Sequence, residues 1–328
     1  MKAKQWLFDA VVGPTRFVRN MIDQPAVILL YHRVTQLTLD SQKLAVSPIH
    51  FSSHLDHLRK HYNVLSASEF LSYKSESRPF PPRSVLLTFD DGYSDNCTEA
   101  LPRLEAHGLQ AIFYVTTSLL DSDRESWWDE LERLIYTPAC PFQLGIELKG
   151  RKRTLSVNTD PDRETVYASL HHIIKYLPHA DRENVLQSLR SASGLPDQGR
   201  STHRFMSRHQ VRTMAQSKAA VLGAHTHSHV PLNILSPDEQ RSELLRSREI
   251  LQEIAQTPIL HCSYPYGLKK DYDRNSVSLC REMGFEMACA NFYGQVHRWT
   301  NPFELPRIIV RDWPEHVFEE MLLRFFRY

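Results

Sequence analysis

The chain has 328 residues, 41% of them hydrophobic and 23% charged, with a formal net charge of +1. That is enough apolar material for one large buried core or two modest ones, and it leaves no electrostatic field that would argue for nucleic acid or an acidic partner. The five cysteines (Cys97, Cys140, Cys262, Cys280, Cys289) are odd in number, widely spaced and without a Cys-x-x-Cys, so neither a disulfide framework nor a cysteine zinc knuckle is expected.

In chain order, residues 1–24 set Trp6, Leu7, Phe8, Val11 and Val12 against Lys2, Lys4, Arg16 and Arg19. Asp9 interrupts the apolar stretch and arginines stand where a cleavage site would fall, so no signal peptide is read and a cytoplasmic location is expected. The segment is expected to form an amphipathic helix, packed on its own domain or resting peripherally on anionic lipid at the inner face of the membrane. No apolar run is long enough to span a bilayer. "AVILLYHRV" (26–34) predicts a short buried strand, "FSSHLDHLRKHY" (51–62) a helix, and "SVLLTFDD" (84–91) a second buried strand. "CTEALPRLEAHG" predicts a helix stopped by Gly108, and "QAIFYVTT" (110–117) another strand.

From about 118 to 200 the rhythm changes to a Trp127–Trp128 pair, a hairpin around Lys149–Gly150 and two helical stretches. This is too long for a simple connection and reads as an inserted α+β subdomain. Its tryptophans suit either stacking on sugar faces or a buried aromatic pair. The α/β alternation then returns. "MSRHQVRTMAQS" reads as helix, "AAVLGAHT" as strand, and Ser236-Pro237-Asp238-Glu239 as a helix start with a capping box. "ILHCSYPYG", "FEMACAN" and "LPRIIVRDW" (305–313) read as further strands of a largely parallel sheet.

Two features carry chemistry. Asp90 and Asp91 stand side by side where an apolar strand ends, just before Gly92. An Asp-Gly turn accounts for that alone. However, His225, His227 and His229 fall within five residues directly after another strand. Two imidazoles and a carboxylate make a common three-ligand set for zinc with a position left for water. A second carboxylate held beside such a site can serve as general base, and a divalent cation makes two adjacent carboxylates tolerable.

"TFDDGY" (88–93), "HTHSH" (225–229) and "YPYG" (264–267), in that order and each at a strand end, resemble the successive motifs of the NodB-homology polysaccharide deacetylases, carbohydrate esterase family four. The resemblance covers about 25–120 and 200–315. It implies a deformed or incomplete (β/α) barrel with its site at the C-terminal strand ends, and metal-dependent removal of acyl groups, usually acetyl, from amino sugars. Carried over by motif, Asp90 is the base and Asp91, His225 and His229 hold the metal, with zinc the expected ion. His227 falls at the variable position. Pro265, Tyr266 and Gly267 form the loop whose Tyr266 N–H stabilises the oxyanion.

Two family features are absent: "HCSYPYG" has no arginine before the third motif, and no Leu-x-His stands near the end. His32, at the tip of the first strand, is the expected acid, as in relatives resembling the biofilm poly-N-acetylglucosamine deacetylases. Arg307 is the expected positive partner of Asp90. Asp312 and Trp313 resemble a remnant of the fourth motif, with Trp313 lining an acetyl pocket. The expected organisation is an N-terminal helix over 1–24 and a catalytic domain over 25–328 interrupted by 118–200. The expected substrate is an N-acetylated saccharide, polymeric or lipid-linked. An amide hydrolase with a small non-sugar substrate and a catalytically silent glycan-binding protein are the competing readings.

Overall fold

The computed structural model describes residues 19–137, 142–148 and 151–326. Residues 1–18 of the expected N-terminal helix lie outside that range, and 19–22 are helical. The expected membrane contact rests mainly on residues outside that range, and among the described residues no helix is long and apolar enough to cross a bilayer. The chain divides into two compact units, one comprising residues up to Ser118 and from Arg208 onward, the other Leu119–Ser207.

The first unit is built on a parallel sheet. β1 (Ala26–Tyr31) and β5 (Ser84–Phe89) pair in register from Ala26↔Ser84 to Tyr31↔Phe89. Every residue of both strands is buried, the pattern of continuous apolar runs covered on both faces. β6 (Ala111–Val115), β9 (Ala220–Ala224), β10 (His261–Ser263) and β11 (Met287–Cys289) follow on one side of β5, and β12 (Ile308–Ile309) lies beyond β1, giving the order β11-β10-β9-β6-β5-β1-β12. β4 (Asn63–Val64) pairs with the start of β5, and β2 (Arg33–Val34) with β3 (Ala45–Val46) forms a separate small ladder.

The two ends of this sheet meet through one segment. Leu305 bridges Cys289 of β11, while Ile308, three residues on, pairs with Leu29 of β1. The sheet is therefore curled into an incomplete barrel, the architecture expected from the motifs. β12 is shorter than the predicted 305–313 strand because Pro306 has no N–H to give to a ladder, and Leu305 and Arg307 donate instead to Ala288 O and Phe292 O. β10 likewise stops before Pro265.

Helices α1 (Pro48–His61), α2 (Ala67–Ser75), α3 (Leu101–His107), α7 (Arg208–Ala215), α8 (Pro237–Ala255), α9 (Arg274–Glu282) and α10 (Glu315–Phe326) complete this unit. The Ser236–Glu239 capping box opens α8 as predicted, and Gly108 ends α3 in the left-handed region.

The second unit contains α4 (Trp127–Tyr136), the antiparallel hairpin β7 (Phe142–Leu148) and β8 (Arg151–Val157), α5 (Asp160–Ile174) and α6 (His179–Ser193). Glu130 accepts from Arg190 Nε at 2.7 Å and Arg200 Nε reaches Glu125 at 2.8 Å, so charged groups are buried as pairs. Trp127 and Trp128 are 8% and 3% exposed and pack edge to face, which makes them core residues and removes them as a sugar platform.

Candidate active site

The predicted residues converge at the C-terminal ends of the strands. Asp90 and Asp91 follow β5, His225 to His229 follow β9, Tyr264 to Gly267 follow β10, and His32 follows β1. This is where barrels of parallel strands expose residues from several strands to one point.

The Asp90–Asp91 pair is both a turn and a site. Gly92 N–H donates back to Asp90 O at 3.0 Å across Asp91, whose φ is +74°, and Thr116 N–H holds Asp91 O at 3.1 Å. Gly92 itself sits at φ +89°, and a Cβ there would lie 2.9 Å from Val115 Cγ1. The same device recurs in the third motif, where Gly267 N–H reaches Pro265 O at 2.7 Å across Tyr266 at φ +60°. Thr226 and His229 also lie at positive φ. Strained backbone of this kind gathers where a chain aims side chains at a common point.

Each aspartate has its own positive surroundings. Arg307 grips Asp90 with both terminal nitrogens, Nη1 to Oδ1 at 2.7 Å and Nη2 to Oδ2 at 2.6 Å. Its Nε donates to Ala290 O at 2.7 Å, so the fork is fixed in direction. Asp91 Oδ1 lies 3.5 Å from His225 Nε2 and 3.2 Å from His229 Nε2. One ligand atom from each of Asp91, His225 and His229 lies within 4.8 Å of the others, and all three residues are buried. Burial by itself would raise both carboxyls. Arg307 and His225 overcome it at Asp90, and His225 and His229 at Asp91, holding Asp90 below and Asp91 well below the usual carboxylate range. His225 is lowered by burial but raised more by Asp90 and Asp91, whereas burial prevails at His229.

The donor set fits a divalent cation. His225 Nδ1 lies 2.9 Å from Ser263 O and 2.6 Å from Ser263 Oγ, so a proton on Nδ1 leaves the Nε2 lone pair facing Asp91 and His229. His32 is buried, with Nδ1 lacking any hydrogen-bond partner. Burial lowers its pKa against the pull of Asp91 and Asp90. His227 turns to Thr117 Oγ1 at 2.9 Å, apart from the cluster. Tyr266 packs its ring edge to face on His229, centroids 4.8 Å apart. Trp313 lines a cavity of about 460 Å³ with Thr35, Ser47, Arg311 and Asp312. Asp312 itself accepts from Ser47 N and Oγ at 2.8 Å, tying down the start of α1.

Sequence reasoning missed Ser263 and Glu243. Ser263 Oγ also donates to Asp90 Oδ1 at 3.2 Å, linking that carboxylate to His225. Glu243, on α8, accepts from His227 N at 2.9 Å and Ser228 N at 2.8 Å and so clamps the histidine loop. Ser263 could have been suspected from its place before the third motif. A glutamate in the middle of an ordinary helix carries no signal.

A curled parallel sheet with an Asp-His-His cluster and a second, arginine-bound aspartate at its C-terminal strand ends is the arrangement expected above of the polysaccharide deacetylases. The model of the family described as polysaccharide deacetylase matches residues 77–142 and 179–288 of the chain, and the chain belongs to this family. YxkH of Bacillus subtilis (strain 168), which bears a polysaccharide deacetylase name, is 21% identical over 284 residues, covering 86% of this chain and 70% of that protein. The Streptococcus pyogenes deacetylase PplD, solved with acetate, matches with a TM-score of 0.61 at 16% identity over 92% of this chain and 99% of its own. IcaB from Ammonifex degensii matches with a TM-score of 0.57 at 18% identity over 92% and 97%. At these identities the structural likeness is one of fold.

Proposed function

We propose that the chain is a metal-dependent hydrolase that removes N-acetyl groups from the amino sugars of a glycan or lipid-linked saccharide. The observation that carries this reading is the separation of roles between two adjacent buried aspartates. Asp91 joins His225 and His229 in one ligand cluster, while Asp90, 3.8 Å from His225 Nε2, is gripped by a bidentate arginine. Membership of the family supports the substrate class.

In this reading Asp91, His225 and His229 hold the metal, with zinc the proposed ion. A divalent cation there supplies Lewis acidity toward water and the amide carbonyl. Asp90 is the general base that takes the proton of the attacking water. Arg307 keeps it ionised and fixes its oxygens. Tyr266 N–H donates to the developing oxyanion from the loop that Pro265 and Gly267 shape. The close packing of Gly267, where a Cβ would lie 2.7 Å from Asn291 N, supports a fixed loop.

His32 then protonates the departing nitrogen. Burial disfavours the protonated imidazole there, and Asp91 and Asp90 favour it. Trp313, in the segment after β12, is assigned to the acetyl pocket. Residues 25–328 form the catalytic domain, interrupted by the 118–200 insertion.

The test is acetate release from N-acetylated sugars, run beside linear amides, for wild type and Asp90→Asn. The variant should keep its metal and lose activity by about 10²–10⁴-fold. Undiminished turnover would reject the base assignment, and turnover of linear amides alone would reject the sugar.

A further inference from the structure

At the N-terminal ends of the strands a groove of about 600 Å³ runs between α2 and the segment 298–302. It begins near Glu286, just before β11, and near the turn that follows Val296, the bridge partner of Ala26 at the start of β1. The six-residue strands β1 and β5 separate it from the Asp-His-His cluster by roughly 20 Å. None of its residues takes part in the site already described.

Its most unusual feature is Trp299, 51% exposed on the groove wall. The ring is held rather than loose. It stacks on the buried imidazole of His297 with centroids 4.8 Å apart and planes within 3°. The turn beneath is braced by Lys74, whose Nζ donates to His297 O, Arg298 O and Thr300 O at 2.7–2.8 Å. Asp23 accepts from Arg298 N at 3.0 Å. An exposed indole on a rigid support offers a large apolar face at little further cost in conformational entropy.

The chemistry around the indole narrows the ligand. Arg298 places its guanidinium over the Trp299 ring, 5.8 Å from the centroid, with Nε 3.6 Å from Asp23 Oδ1, and the exposed Glu286 carboxylate shares the groove. Planar charged groups of both signs beside an aromatic face suit adjacent sugar hydroxyls, which donate to a carboxylate and accept from a guanidinium while the C–H face of the ring stacks. The third charged group, Lys74, is engaged by backbone carbonyls, so no strong field of either sign selects an ion.

We infer that this groove is a second saccharide-binding site, with Trp299 as its stacking platform, holding a non-reacting stretch of the polymeric substrate. For the identity of the sugar it rests on the deacetylase reading. Engagement at two places raises the effective concentration of the polymer at the chemistry without new contacts there.

The test is calorimetric titration with a soluble hexamer of N-acetylglucosamine, together with acetate release from a disaccharide and from a long polymer. Wild type, Trp299→Ala and Trp299→Tyr are compared, with circular dichroism confirming that each is folded. Trp299→Ala should bind one hexamer fewer per chain and lose about tenfold in kcat/KM on the polymer, keeping its rate on the disaccharide. Trp299→Tyr, which retains a stacking ring, should restore most of both. Identical stoichiometry and polymer rate in all three would overturn the inference. If no protein releases acetate but the stoichiometry still falls by one in Trp299→Ala, the second site stands and the deacetylase reading fails.

Discussion

Arg307 sets the pH range over which Asp90 can accept a proton. Its guanidinium, fully buried and bidentate, holds Asp90 below the usual carboxylate range despite burial. Asp90 therefore stays ionised into acid, and the acid limb of kcat/KM is expected to lie at low pH. Replacing Arg307 by Met removes the stabilising charge and leaves Asp90 with burial, which raises its pKa. The acid limb should then move to higher pH, read from a pH–rate profile. The same change leaves a buried carboxylate without its partner and should cost about 3–5 kcal/mol of stability, read by urea titration. A limb that stays in place would mean that Asp90 is not the base whose ionisation the rate reports.

Among the elements, the turns after β5 and the tether of α1 matter most. Gly92→Ala would force a Cβ to within 2.9 Å of Val115 Cγ1 at a φ of +89°. Because Asp91 precedes it in the same turn, metal affinity should fall about 10–100-fold, the range seen when support around a ligand is lost, as measured by competition with a chelating dye.

The tether is His54. Its Nε2 lies 2.7 Å from Trp313 O and its Nδ1 lies 3.3 Å from Tyr31 Oη, joining α1 to the segment after β12 and to β1. Burial pushes His54 and His261 down to about 4 from an ordinary 6.5. The unfolded chain therefore takes up protons first. Stability is intact above about 6.5 and drains away as pH falls toward about 4. Between pH 7 and pH 5 each histidine should cost about 2 kcal/mol. Urea midpoints of chelator-treated protein should show that loss, and His54→Gln should reduce it by His54's share of about 2 kcal/mol.

For the whole molecule, the Asp91, His225 and His229 cluster joins strand ends far apart in sequence, so the proposed metal would couple its binding to folding. A chelator should lower the melting temperature by several degrees in wild type, since a ligand at about 1,000 times its Kd adds about 4 kcal/mol. It should do nothing to the His225→Ala, His229→Ala double variant, which should also lose the single metal per chain. The second unit depends on buried ion pairs instead. Glu130→Ala takes from buried Arg190 the carboxylate that accepts two of its hydrogen bonds, leaving it Glu183, and should open Leu119–Ser207 to limited proteolysis while metal content is unchanged.

The fold class and the site motifs were legible in the sequence because both are local. Continuous apolar runs such as "AVILLY" and "SVLLTF" mark strands buried on both faces. "TFDDGY", "HTHSH" and "YPYG" each hold their residues within one turn, where spacing alone keeps them together. Other features were not legible, because they join distant elements. The roles of Glu243 and Ser263 depend on what packs across from them, and the short extent of β12 depends on Pro306 and on bonds to the β11 side. Trp127 and Trp128 read equally as sugar platform or core until burial decided between them. Periodicity and motif spacing report what a residue and its near neighbours prefer. Which carboxylate meets Arg307, and which face of a tryptophan meets solvent, is decided by tertiary packing, where contacts such as Arg307 to Asp90 span more than 200 residues of chain.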